Sequence, residues 1–159
     1  MAILILIFII LFLGAISFFL KHINPATKRT SLTVLPHLSE GKTRDQVFEV
    51  EIADTMLSRA KGLSGKDNLD DHKGMLFLFD KAGSYGFWMK DMKFPIDIIW
   101  IKGTRIAGFS ERVQPEPKKT IFGLPVYYPP EPVDKVLELN SGSVERYHLE
   151  KGDEVNVSS

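Results

Sequence analysis

Three apolar runs of strand length, Gly74 to Phe79, Phe87 to Met92 and Phe94 to Ile101, are interrupted by Lys90, Asp91 and Asp97, and Glu138 sits inside a fourth, Val136-Leu137-Glu138-Leu139. An apolar sheet accepts such groups only with partners, so chemistry is to be sought at these positions first. Trp88 offers an indole face with one donor, a platform suited to a sugar, a heterocycle or a cation. Its neighbours Lys90 and Asp91 could orient a polar ligand beside that ring; in the plainer reading they form an ion-pair cluster with Lys93 at a hairpin tip. Asp97, between Ile96 and Ile98, points away from both in a strand and suits a buried carboxylate anchoring Arg59 or Lys90. Glu138 follows the same logic, with Arg59 again a possible partner. If both carboxylates faced one cleft, Asp97 and Glu138 would form an acid/base pair of the glycosidase type.

Other chemistries lack a motif. The chain has no cysteine, which excludes thiolate metal sites, disulfides and a Cys nucleophile. His22, His37, His72 and His148 are scattered without ligand spacing, and Met75, Met89 and Met92 read as core filler rather than a soft copper site. No metal and no cofactor is therefore implied. There is no glycine-rich phosphate loop and no Gly-x-Ser-x-Gly elbow. Lys+Arg 20 balances Asp+Glu 20, with no basic stripe interleaved with aromatics, so nucleic acid is not an expected partner.

The elements that must position these residues follow an apolar N-terminus. Ala2 to Leu20 is apolar on every face and, as a helix rising about 1.5 Å per residue, matches a hydrocarbon core about 30 Å thick. Residues 1–23 are read as a transmembrane anchor, with a signal segment cleaved near Ala15-Ile16-Ser17 as the competitor. Lys21, Lys28 and Arg29 flank this run on its C-terminal side, and by charge alone the domain would lie in the cytoplasm.

Residues 24–44, rich in Pro, Thr, Ser and Lys, read as a flexible tether, and the domain is expected over 45–159. Alternation at 47–53 gives a half-exposed strand. Thr55 can cap a short helix through Lys61, closed by Gly62, with Met56, Leu57 and Ala60 as its buried side; this is expected as a helical insertion rather than a βαβ unit. Met75 to Phe79, Ile96 to Ile101, Ile106 to Ser110, 136–139 and 154–157 read as strands, and Ser143 to His148 as a helical turn. Six prolines between Arg112 and Pro132 make a long loop that carries Tyr127 and Tyr128. Many short strands with brief helices predict a mainly β fold, an antiparallel β-sandwich or distorted barrel with one or two short helices, preceded by the transmembrane helix.

Arg59-Ala60-Lys61-Gly62-Leu63, Gly74-Met75-Leu76-Phe77-Leu78-Phe79, Phe87-Trp88-Met89-Lys90, Pro95-Ile96-Asp97-Ile98-Ile99 and Val136-Leu137-Glu138-Leu139, then Gly142 and Gly152-Asp153, form a set of motifs spread from about Phe48 to Val157. By this set the chain resembles the domain of unknown function (DUF) 192 family, and the resemblance covers essentially the whole expected domain. It implies a jelly-roll-like β fold and an exported domain, opposing the charge rule and tipping the expectation toward the extracytoplasmic side. Asp91 stands where the family usually has Asn, exchanging a donor and acceptor for an acceptor-only group. The expected function is a membrane-tethered, non-catalytic module that binds a small molecule or protein partner through Trp88, Lys90, Asp91 and Arg59, bordered by Tyr127 and Tyr128. The alternatives are an envelope glycan hydrolase using Asp97 and Glu138, or a purely structural scaffold.

Overall fold

The computed structural model describes residues 27–36, 45–116 and 123–158. Seven strands form a closed barrel: β1 (Arg29–Leu35), β2 (Gln46–Ala53), β3 (Lys73–Gly83), β4 (Ile96–Lys102), β5 (Arg105–Val113), β6 (Val133–Asn140) and β7 (Glu154–Val157). Around the barrel the order is β1-β2-β3-β6-β4-β5-β7, with β7 returning to β1. Two short helices, α1 (Met56–Lys61) and α2 (Ser143–Arg146), complete the described elements. The mainly β expectation holds, and of its two alternatives, sandwich or barrel, the barrel is the one found. Closure leaves no edge strand to protect among the described residues.

Strand alternation divides the apolar residues into two layers. Leu76, Ile99, Ile101, Leu137 and Leu139 point inward and pack with Leu32, Val34, Phe48 and Val50. Met75, Phe77, Ile98, Trp100 and Val136 point outward and are covered by Leu63, Met89 and Met92 from the connections. With both faces covered, β3, β4 and β6 are apolar at nearly every position, which is why these runs stand out in the sequence.

Three expectations are corrected. Arg29–Leu35 belongs to the barrel rather than to a tether: it pairs with β2 through six residue pairs and with β7 through four, burying Leu32 and Val34. The Leu32-Thr33-Val34 alternation suits a strand, but it is short and lies amid Thr, Ser, Lys and Pro. The rest of the assigned tether falls on residues that, apart from Thr27, Lys28 and Pro36, lie outside those described, as does Ala2 to Leu20. Secondly, β2 and β3 run parallel, so α1 sits in a parallel crossover and is more than an insertion into an antiparallel sheet. Thirdly, α1 buries none of its own residues; Met56 and Leu57 are 81% and 83% exposed. Leu63, just beyond the helix, makes the buried contact instead, because a helix of six residues has too few turns for an apolar face to decide its seating.

Candidate functional site

A cleft of about 280 Å³ lies on the outer face of the barrel, between α1 and the segment from Tyr85 to Trp88. Its wall comes from strand alternation: Phe77 and Phe79 project from β3 on the side opposite Leu76 and Leu78, and Glu138 projects from β6 beside them. Arg59 to Ser64 supply the opposite bank, with Met56 and Trp88 at the rim.

Local chemistry fixes both banks. The Thr55 hydroxyl accepts from the Ser58 N–H at 3.1 Å, and the Ser58 hydroxyl accepts from the Thr55 N–H at 2.9 Å, a capping box that starts α1 where expected. Gly62, at φ +50°, ends it, and a Cβ there would lie 3.3 Å from the Phe77 ring. On the other bank Phe87 and Tyr127 exchange backbone hydrogen bonds of 2.9 and 2.8 Å, and both rings pack toward the outer core. Gly86 permits this ribbon, since a Cβ would stand 2.7 Å from Val126 Cγ1.

The aromatic lining is ordered. Phe77 and Phe87 meet edge to face at 4.9 Å, Phe79 and Tyr85 stack at 3.7 Å, and the Arg59 guanidinium lies 5.1 Å from the Phe79 centroid. Arg59 Nη1 donates to the carbonyls of Asp54 and Leu78, both at 2.8 Å, which ties α1 to the end of β3.

Glu138 is the anomaly of this wall. It faces Met75 of β3 and Ile98 of β4 in register, both buried. Its Oε2 is buried and has no hydrogen-bond partner among the described residues. Burial alone pushes its carboxyl up to about 8, so at neutral pH the group is mostly protonated and can donate as well as accept.

The other predicted residues separate. Asp97 is buried and paired neither with Arg59 nor with Lys90: Oδ1 accepts from the Arg112 N–H at 2.8 Å, and Oδ2 from the Val144 N–H at 2.9 Å in the first turn of α2. It is a through-space cap, with both oxygens satisfied by backbone. It projects inward with Leu139, whereas Glu138 projects outward, so the two carboxylates share no cleft and the acid/base pair of the hydrolase alternative is not formed. Lys90 pairs with Asp91 at an exposed turn beside the cleft, while Lys93 pairs with Asp67. Asp91 adopts φ +55° and its carbonyl accepts from the Gly65 N–H. Both Asn and Asp tolerate that left-handed conformation, which gives the position a backbone reason for either residue. Trp88 is 51% exposed, while Trp100 is the core tryptophan. Tyr127 lies beneath the ribbon and Tyr128 turns outward, 58% exposed.

A family model covers residues 38–157, that of DUF192, described as uncharacterized ACR. The chain belongs to the DUF192 family. No curated protein matches it. Among solved structures, it is similar to a protein of Sinorhizobium meliloti 1021 described as a candidate transcription regulator, at 26% identity and TM-score 0.72, covering 82% of this chain and 95% of that one. It is also similar to a protein of unknown function from Novosphingobium aromaticivorans DSM 12444, at 28% identity and TM-score 0.72, covering 85% and 89% of the two chains.

Sequence reasoning placed Trp88, Arg59 and Glu138 among the residues of interest but missed Phe77, Phe79, Tyr85 and Phe87 as a lining. The signal was the alternation Met75, Phe77, Phe79 on one face of β3, opposite Glu138.

Proposed function

We propose that this DUF192 domain is a membrane-tethered binding module, and that its ligand is a small molecule with an apolar or aromatic body and a hydrogen-bonding head. The observation that carries the reading is Glu138: a buried carboxyl oxygen without a partner among the described residues, in the wall of an aromatic-lined cleft. Leaving such a group unpaired costs stability, and a ligand head that pairs with it recovers part of that cost on binding. Asp97 is what a purely architectural carboxylate looks like, and Glu138 does not resemble it. The membrane tether rests on the apolar run from Ala2 to Leu20, and the extracytoplasmic side on the family resemblance. The regulator description attached to the Sinorhizobium neighbour finds little support here, because Lys+Arg 20 and Asp+Glu 20 cancel and no basic stripe is available for a polyanion.

The test uses benzylamine, benzyl alcohol and benzoate as probes of one shape and three heads, read by thermal shift. Benzylamine and benzyl alcohol should stabilise the protein and benzoate should not; at ten times the dissociation constant the gain is about 1.4 kcal/mol. Glu138→Gln keeps a neutral donor and acceptor and should retain the alcohol while weakening the amine; Glu138→Leu should lose both. Equal responses to all three probes, or responses that survive Glu138→Leu, would reject the reading.

A further inference from the structure

The cleft opens among exposed apolar side chains. Met56 and Leu57 at the start of α1 and Trp88, Val126 and Tyr128 on the opposite ribbon are all more than two-fifths exposed. Their exposure has a structural origin on each bank. Leu63 takes the buried contact that α1 would otherwise make, which leaves Met56 and Leu57 outside. Phe87 and Tyr127 turn inward as a bridged pair, which sends their neighbours Trp88, Val126 and Tyr128 outward. Met56 and Trp88 both line the cleft, so the two groups flank one mouth.

The position of β1 gives this face an orientation. The Ile52 N–H donates to the Lys28 carbonyl at 2.8 Å, and Met56 of α1 follows four residues after Ile52. The chain therefore enters the barrel at the end where α1 sits. Between Leu20, the end of the apolar run, and Lys28 lie eight residue steps, which span at most about 29 Å even when fully extended. An anchored chain therefore keeps this end of the barrel within about 29 Å of the bilayer surface.

We propose that Met56, Leu57, Trp88, Val126 and Tyr128 seat on the bilayer surface, with the mouth of the cleft opening into the headgroup layer. Residue chemistry fits that occupant: Met and Leu suit shallow insertion, and Trp and Tyr suit the interface, where an apolar ring and a polar tip are both satisfied. Lys61 in the last turn of α1 and Lys28 just before β1 are the cations offered to lipid phosphates; Arg29 is held by Glu49 and Glu51, and Arg59 by the carbonyls of Asp54 and Leu78. Of the carboxylates adjoining these residues in sequence, Asp91 is already paired with Lys90, and Asp54 precedes the helix. The consequence is a route: an amphiphile dissolved in the headgroup layer reaches the cleft without crossing water. The docking rests on the membrane-anchor reading for its short leash but not on the identity of the ligand.

The test reconstitutes the full chain in vesicles containing lipids brominated near the top of the acyl chains, and separately asks whether alkaline carbonate extracts it. Trp88 and Trp100 are the two tryptophans, so the Trp88 signal is the wild-type emission minus that of Trp88→Phe. The expected result is a carbonate-resistant chain in which bromine removes most of the Trp88 emission, leaves Trp100 largely unaffected, and loses its grip on Trp88 when Met56→Glu and Leu57→Glu are combined. A carbonate-resistant chain whose Trp88 is quenched no more than Trp100 overturns the docking while the anchor stands. Extraction by carbonate with quenching intact before extraction removes the anchor but supports the docking face; extraction without quenching overturns both. Concentration-dependent shielding of Trp88 from acrylamide, without bromine quenching, gives the face to a second copy and overturns the proposal.

Discussion

Asp97 and Glu138 stand on neighbouring strands one step out of register, Asp97 opposite Leu139 and Glu138 opposite Ile98, so their carboxyls point to opposite sides of the same sheet. The inward one is satisfied by two backbone N–H groups, and the outward one keeps an oxygen without a partner among the described residues. A period of two residues thus assigns similar side chains to different work: one fixes α2 to the barrel, and the other leaves a polar atom in an apolar wall.

Glu138, buried and with an Oε2 that has no partner among the described residues, predicts a pH dependence of stability. Its carboxyl is raised from an ordinary 4.5 to about 8 in the folded protein. The folded state therefore holds a proton that the unfolded chain releases, and the contribution is fully present below about 4.5, falls as pH rises, and is gone above about 8. Urea titrations should show the wild type losing about 3 to 5 kcal/mol relative to Glu138→Gln between these limits. Parallel pH profiles for the two proteins would mean that Glu138 is hydrated or paired in solution.

Asp97→Ala leaves the Val144 N–H without its acceptor in a buried setting and the Arg112 N–H in a partly buried one. Each such donor costs about 1 to 3 kcal/mol when buried and less when water reaches it, so a total loss of about 2 to 5 kcal/mol is expected by denaturant titration. Probe binding in the cleft should survive at temperatures where the variant is folded, because Asp97 faces the other side of the sheet. Loss of probe binding in the folded variant would contradict the opposed orientation.

Much of this arrangement was legible in residue patterns, and the losses have physical causes. The runs at 75–79, 96–101 and 136–139 announced strands because both of their faces are covered, and Thr55 with Gly62 announced α1 because capping is local. Strand β1 was hidden because Leu32 and Val34 are few against their polar surroundings, although each is nearly fully buried. The parallel pairing of β2 with β3 was hidden because pairing direction depends on where a crossover goes, which no local pattern encodes. At the site, sequence flagged Glu138 but could not show that it lacks a partner, since that depends on every neighbour at once. The partners of Asp97 were invisible for a related reason: they are backbone groups, which carry no side-chain signature.

The two tryptophans should respond oppositely to truncation. Trp100 is fully buried, meets Phe87 edge to face at 5.6 Å and donates to the Ser110 hydroxyl at 3.2 Å. Trp100→Ala is expected to cost about 3 to 5 kcal/mol, as for other buried aromatics. Trp88→Ala should cost less than about 1 kcal/mol, because half of its surface is already in water. Probe affinity should rank the other way, falling for Trp88→Ala. A stability loss for Trp88→Ala equal to that for Trp100→Ala would make the rim residue part of the core and move the binding surface elsewhere.

The place of β1 predicts where the domain can be cut. A fragment of residues 45–159, the domain as sequence composition alone delimits it, lacks the strand that closes the barrel between β2 and β7. It would expose Phe48, Val50 and Val155, all within the same core cluster as the missing Leu32 and Val34, and leave two strand edges unpaired. Losing a single buried Leu to Ala already costs about 2 to 5 kcal/mol, and a whole strand exceeds the margin of a typical small domain. The 45–159 fragment should therefore aggregate or give a broad, non-cooperative urea transition, whereas residues 27–159 should unfold cooperatively. Adding a synthetic peptide of residues 27–36 to the shorter fragment should restore part of the cooperative transition, since the peptide supplies both missing ladders. A cooperative transition in the 45–159 fragment alone would show that β1 is an accessory strand rather than the closure of the barrel.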